Sequence, residues 1–189
     1  MNQFDHFNLL GPFYDLIFGR STDHNMVRIA EVEKDHKLLD VGGGTGRVAV
    51  LFKDLVSQVL IADAAVRMLR EAQAKGLRTI NTESEKLPLP AHSFDRVIMV
   101  DALHHVRDQQ RSMKELWRVL APGGRMVIEE PDIRNFAVKL IALGEKLALM
   151  RSRFISPEKI LAMCRFDGID SKKIIKAKGI AWIIITKAK

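Results

Sequence analysis

Apolar and polar positions along this chain follow two alternating rhythms. Short, β-rich runs stand at 37–41 (KLLDV), 58–62 (QVLIA), 77–81 (LRTIN), 94–100 (FDRVIMV), 124–129 (GRMVIE), 170–175 and 181–186 (AWIIIT). Between the first five lie stretches with helical spacing, at 46–54, 65–75 and 108–120. The first and fourth runs are almost continuously apolar, the pattern of strands covered on both faces. Strand and helix in regular alternation predict an α/β fold: a mostly parallel sheet with helices on both sides. After Glu130 the rhythm breaks, with two helical segments at 134–150 and 157–166. The last two strands are separated only by Lys-Ala-Lys-Gly, too short for a helical crossover, so the final strand is expected to run antiparallel.

The chemistry concentrates where the first strand ends. Residues 38–52, LLDVGGGTGRVAVLF, pass from a strand through four glycines in five positions into an apolar stretch. Glycine permits positive φ and close approach of a ligand to the main chain. Dinucleotides and nucleosides such as S-adenosylmethionine are both held this way. A dinucleotide loop counted from Gly42 puts its third glycine at position 47, which is Arg47 here. The spacing present is Gly42, Gly44, Gly46. A sulfonium amino acid needs no tight pyrophosphate contact, and its ammonium favours a nearby acid such as Asp40. The second strand ends in Asp63, 21 residues beyond Gly42, where a carboxylate can accept both hydroxyls of a ribose. Together the two features point to an adenosine-bearing ligand.

Four segments, LLDVGGGTGRVA, IADAAVRMLREA, ESEKLPLPAHSFDRVIMVDALHHV and ELWRVLAPGGRMVIEEP, stand in order over about residues 37–131. They resemble the signature segments of class I S-adenosylmethionine-dependent methyltransferases. The ESEKLP and LHHV elements, with FYDLIFG upstream, are most similar to the branch containing ubiquinone/menaquinone biosynthesis methyltransferases. The resemblance implies a single Rossmann-like domain over 1–189, with seven strands and an antiparallel last strand. Residues 1–36 would form N-terminal helices over the pocket, 37–131 the cofactor core, 132–167 a helical substrate insert and 168–189 a strand pair.

It also implies roles for particular residues. Asp40 and Gly42 would hold the methionine end of S-adenosylmethionine, Gly44 and Gly46 would shape the turn, and Asp63 would take the ribose hydroxyls with Ala64 beside it. Met68 would pack near the adenine, and Glu83 and Ser84 would contact its edge. Asp101 would border the methyl group, and Tyr14, the only tyrosine, would close the pocket. The product would be S-adenosylhomocysteine. Ala65 replaces the serine that often begins the next helix.

Because the sulfonium methyl is already activated, alignment and exclusion of water are the main tasks of such a protein. A base is needed where the acceptor is a hydroxyl, an amine cation or an acidic carbon. His105, with His104 beside it, lies at the sheet edge where α/β folds hold ligands, and titrates near neutrality. His105 and Asp101 are therefore the candidate catalytic residues. Adjacent histidines diverge in direction, so no metal is expected. The apolar face of 135–154 (Phe136, Leu140, Leu143, Leu147, Met150), followed by Arg151 and Arg153, suits a small apolar or anionic acceptor.

Composition adds a few limits. The formal charge is +7, and residues 151–189 hold ten of the 30 Lys/Arg but three of the 23 Asp/Glu. The basic end opens an RNA-directed methyltransferase as an alternative, although Trp182 is the only aromatic in 168–189 available for stacking. It is equally compatible with a peripheral membrane contact, or with a solvated strand. A non-catalytic S-adenosylmethionine-binding partner protein and a homodimer also fit. The lone Cys164 excludes internal disulfides and reads as a core thiol. No run approaches the ~20 apolar residues of a membrane span. With no basic-then-apolar leader at the start, a cytoplasmic protein is expected.

Overall fold

The structure, a computed structural model, describes residues 23–135, 138 and 152–189. Tyr14, the segment 1–22 and most of the expected helix over 134–150 lie outside the described residues. Seven strands form one sheet: β1 (Lys37–Val41), β2 (Gln58–Asp63), β3 (Arg78–Asn81), β4 (Phe94–Val100), β5 (Leu120–Pro131), β6 (Ile169–Ala177) and β7 (Ile180–Lys187). Their order is β3-β2-β1-β4-β5-β7-β6. β1 to β5 pair in parallel, while β7 lies antiparallel between β5 and β6. The expected antiparallel final strand is therefore present. Its tight return is made by Lys178 (φ 49°) and Gly179 (φ 82°), both left-handed as the commonest hairpin turn requires.

Period-two alternation assigns the two cores. On one face Leu39, Val41, Val97, Met99, Met126 and Ile128 meet Met113, Leu116 and Val119 of α3 (Gln109–Val119) and Ile160 of α4 (Pro157–Met163). On the other, Leu38, Ile98, Val127, Trp182 and Ile184 meet Met26 and Ile29 of α1 (Asp23–Ala30) and Leu69 and Ala72 of α2 (Val66–Ala74). Asp108 begins α3 by accepting from the Arg111 N–H, and Ser156 begins α4 with Pro157 in its first turn. Cys164 is buried in the first core, and burial pushes its thiol up to about 12.

One expected element differs. The stretch 46–54 forms a short 3₁₀ turn at Ala49–Phe52, not an α-helix. Its bonds are mostly i to i+3, as in Leu51 N–H to Val48 O and Leu55 N–H to Phe52 O. Val48 and Val50 are β-branched and no side chain caps the start, so helical spacing alone was insufficient.

A charge buried in the sheet also has a purpose. Arg96, 9% exposed at the amino end of β4, donates to the carbonyls of Ala30 and Glu31. These are end-of-helix carbonyls of α1, where Glu31 turns left-handed at φ 47°. The arginine thus fastens α1 beneath the sheet.

Candidate functional site

β1 and β4 are neighbours, and the chain leaves them toward opposite sides of the sheet. At such a reversal a crevice opens beyond the strands' carboxyl ends. The glycine loop stands there. Gly42 continues the strand by donating to Ala62 O at 2.7 Å, and Gly46 N–H closes the turn on Gly43 O at 2.8 Å. Gly42, Gly44 and Gly46 all have positive φ (75°, 50° and 76°). A methyl at Gly46 would fall 2.5 Å from Leu77 Cδ1, so this glycine is required for packing as well as for the turn. One at Gly44 would touch the Met68 thioether at 3.4 Å, which puts Met68 directly over the loop.

Gly43 is one of the loop's four glycines, but spacing gives it no role beside its three patterned neighbours. Its φ is not left-handed, yet a Cβ there would sit 2.6 Å from the Asp40 carboxyl. The absent side chain makes room for that carboxyl. Asp40 is 1% exposed, and among the described residues neither of its oxygens has a hydrogen-bond partner. Burial, then the charge of Asp63, pushes its pKa up to about 7, while Arg47 pulls the other way. A buried, unsatisfied acid beside a glycine cradle is costly unless a cation or donor meets it.

Asp63 is tied into the same loop. Its Oδ2 accepts from Gly44 N–H at 2.9 Å and its Oδ1 from Ala65 N–H at 2.7 Å. The second bond engages the N–H of Ala65 itself, the residue that begins α2, and Ala65 has no side chain to cap the N–H groups of the first turn. Each carboxylate oxygen has a second lone pair left for a ligand. Asn81 bonds the carbonyls of Asp63 and Ala64, and Thr82 N–H bonds Asp63 O, bringing 81–84 alongside. Glu83 is exposed. The Ser84 hydroxyl is engaged by Ser112 at 2.7 Å and Glu85 at 3.1 Å, leaving a ligand contact from Ser84 to its main chain.

On the β4 side, Asp101 has φ 54°, a left-handed conformation uncommon for aspartate, and donates its N–H to Glu129 O. Ala102 follows and lies against Gly42, whose added Cβ would be 2.5 Å from the alanine methyl. The histidines come next in a 3₁₀ turn at Leu103–His105. His105 Nδ1 is 3.2 Å from Ser152 Oγ, and burial, then the neighbouring His104, pushes its pKa down to about 3. His104 is 1% exposed, stacked on Phe154 at 4.2 Å, with Nδ1 2.7 Å from Glu130 Oε2. Glu130 did not stand out in the sequence. Its only signal was an acid doublet, Glu129-Glu130, ending an otherwise apolar strand. Glu129 points to the opposite face, where it accepts from the Trp182 indole.

The glycine loop therefore gathers Asp40 behind Gly43, Asp63 and Met68 against Gly44, and Ala102, next to Asp101, against Gly42, while Asn81 and Thr82 tie the segment before Glu83 and Ser84 to Asp63. Tyr14 lies outside the described residues. Among those residues one group of metal-ligating side chains gathers within 4.8 Å: Glu33, Asp35 and His36, preceding β1 at the opposite end of the sheet.

Residues 39–128 match the model of a family described as "Methyltransferase domain". The chain is 36% identical over 110 residues to a ubiquinone/menaquinone biosynthesis C-methyltransferase of Pasteurella multocida, covering 52% of this chain and 41% of that protein. It is 34% identical over 139 residues to a demethylmenaquinone methyltransferase of Thermus thermophilus, covering 66% of this chain and 63% of that protein. The matches thus span about half the length of these relatives. A crystal structure of an S-adenosylmethionine-dependent methyltransferase from Thermotoga maritima superposes with a TM-score of 0.82, covering 97% of this chain and 98% of that one at 24% identity. That likeness bears on the fold alone.

Proposed function

We propose, from the premise that this chain carries the class I methyltransferase domain over residues 39–128, that it transfers a methyl group from S-adenosylmethionine to a small acceptor. The observation that carries this reading is the buried Asp40 carboxyl behind Gly43, which has no hydrogen-bond partner among the described residues. The site offers what the methionine ammonium lacks once it leaves water: a buried anion with open lone pairs. Asp63 would take the ribose hydroxyls, Met68 would cover the loop side of the adenosine, and Ala64, Glu83 and the Ser84 main chain would meet the base. Gly42 would admit the carboxylate end, and Asp101 would stand at the reacting centre. When bound, S-adenosylmethionine supplies a methyl group activated by its sulfonium charge.

The chain's own contribution is then alignment and exclusion of water. The loop from Gly42 to Gly46 and the end of β2 fix one reactant, leaving the 101–105 turn to face the other. Orientation of this kind is worth up to ~7–11 kcal/mol of barrier. The quinone methyltransferases among the relatives support a small, apolar or anionic acceptor. The apolar stretch 135–154 and the cationic Arg151 and Arg153 are compatible with one.

Asp63→Asn is the direct test of the ribose contact. Loss of one charge-assisted bond, at about 1.5–3 kcal/mol, predicts about tenfold to hundredfold weaker S-adenosylhomocysteine binding with a folded protein. Unchanged affinity would remove Asp63 from the pocket.

A further inference from the structure

The carboxyl edge of the sheet holds a second concavity, away from the glycine loop. Pro131 pairs with Ile180, so the β6–β7 hairpin turns just beyond the end of β5. The two segments are fastened together there. Asp132 N–H donates to Gly179 O at 2.7 Å, and a Cβ on Gly179 would come within 3.1 Å of the Asn135 side chain. Between them lies a pocket of about 510 Å³, an ordinary size for a small-molecule site, with Asp132, Arg134, Lys176 and Lys178 in its wall. It shares no residue with the glycine loop, and three strand spacings, about 14 Å, separate β1 from β7 along the edge.

The charges around this pocket suit an anion. Asp132 grips Arg134 with both oxygens, accepting from Nε at 2.9 Å and from Nη2 at 2.6 Å, which fixes the guanidinium plane. Glu158 of α4 puts a single oxygen, Oε1, between Arg134 Nη1 at 2.8 Å and Lys176 Nζ at 2.5 Å. Described residues thus use three of the five guanidinium N–H groups, and two remain. Lys178 adds a third cation at the left-handed turn, so among the described residues three positive charges meet two carboxylates. Stability does not account for the grouping. The side chains of Arg134, Lys176 and Glu158 are 49%, 37% and 50% exposed, and ion pairs in water contribute little. An oxygen shared by an arginine and a lysine is what a bound phosphate would supply, and half-exposed Glu158 holds that place with a side chain that can rotate into solvent.

We propose that this pocket binds the phosphate group of a small phosphate monoester. One phosphate oxygen takes the place of Glu158 Oε1 between Arg134 and Lys176, and a second pairs with Lys178. A phosphate monoester brings nearly two negative charges and three outer oxygens, against one charge and two oxygens for a carboxylate, so it can displace Glu158. The site is distinct from the crevice and holds or falls independently of the cofactor reading.

The test titrates the ¹⁵N-labelled full chain with glycerol 3-phosphate, followed by amide shifts, with glycerol and vesicles of phosphatidylglycerol in phosphatidylcholine as separate arms. Saturable shifts largest at 132–135 and 176–180, with a Kd of about 1 mM or tighter, are expected, and none with glycerol. Arg134→Gln should weaken binding by about three- to tenfold. Lys178→Asn should do the same while keeping the hairpin, because Asn-Gly is the preferred pair for that turn. Glu158→Gln removes the competing charge and should tighten binding by about threefold or more. A surface ion-pair network with no ligand role predicts no such gain. Absence of saturable shifts at these residues up to about 10 mM overturns the proposal, as does unchanged or weaker binding in Glu158→Gln. Vesicle binding without glycerol 3-phosphate binding also overturns it, making the patch a membrane contact. Binding of both, lost together in Lys178→Asn, supports the site with a lipid headgroup as the source of the phosphate, and binding of glycerol 3-phosphate alone supports a soluble source.

Discussion

Asp40 is the buried acid whose charge couples folding to ligand binding. Its carboxyl, raised to about 7, binds a proton in the folded chain over a range where the unfolded chain has lost it. Between roughly pH 4 and 7 the folded state therefore holds more protons, and stability falls as pH rises, levelling off above 7. Binding an ammonium reverses the preference, because the ligand needs the ionised acid. Affinity for S-adenosylhomocysteine should accordingly rise from pH 5.5 to 7.5 and then flatten, as followed by calorimetry. Asp40→Asn should melt higher than wild type at pH 8, with the advantage shrinking toward pH 4, and should lose most of its ligand affinity. A variant that melts lower at pH 8, or binds as wild type does, would mean that Asp40 is satisfied within the protein. The acid was visible in the sequence as the end of β1. Its lack of a partner was not, since that depends on Gly43 and on the distance to Asp63.

At the scale of elements, the glycine loop separates structural from ligand-directed positions. Gly46→Ala combines a left-handed φ with a 2.5 Å approach to Leu77 and should destabilise by about 2–4 kcal/mol. Gly43→Ala has an ordinary φ, and its nearest contacts are the atoms of the Asp40 carboxyl. It should lower S-adenosylhomocysteine affinity by more than it lowers the melting temperature. Equal losses at both positions would make the whole loop a packing device. Strands were the most legible elements, because alternation and continuous apolar runs report directly on how many faces are covered. The 3₁₀ turn at Ala49–Phe52 was not, since spacing cannot reveal a missing cap. Nor was the β4–α3 turn: His104 and His105 read alike in sequence, and only the register of β5 brings Glu130 to the first of them.

For the molecule as a whole, the excess positive charge acquires an address. Lys172, Lys173 and Lys176 lie on β6, an exposed edge strand, with Lys178 in the turn after it. Lysines on a free edge discourage pairing with another chain's strand, which accounts for them without a nucleic-acid partner. Lys172→Thr with Lys173→Thr should thus leave ligand binding unchanged and raise the tendency to self-associate, seen by light scattering. Among the described residues no helix is long and apolar enough to cross a membrane.

The central claim is that the crevice at the β1–β4 reversal holds an adenosyl sulfonium amino acid and not a dinucleotide. Calorimetric titration at pH 8 with S-adenosylmethionine, S-adenosylhomocysteine and NADH tests it most directly. Micromolar, one-to-one binding of the first two and none of the third is the expected result. Binding of NADH alone would contradict it, and would mean that Arg47 is accommodated beside a pyrophosphate after all.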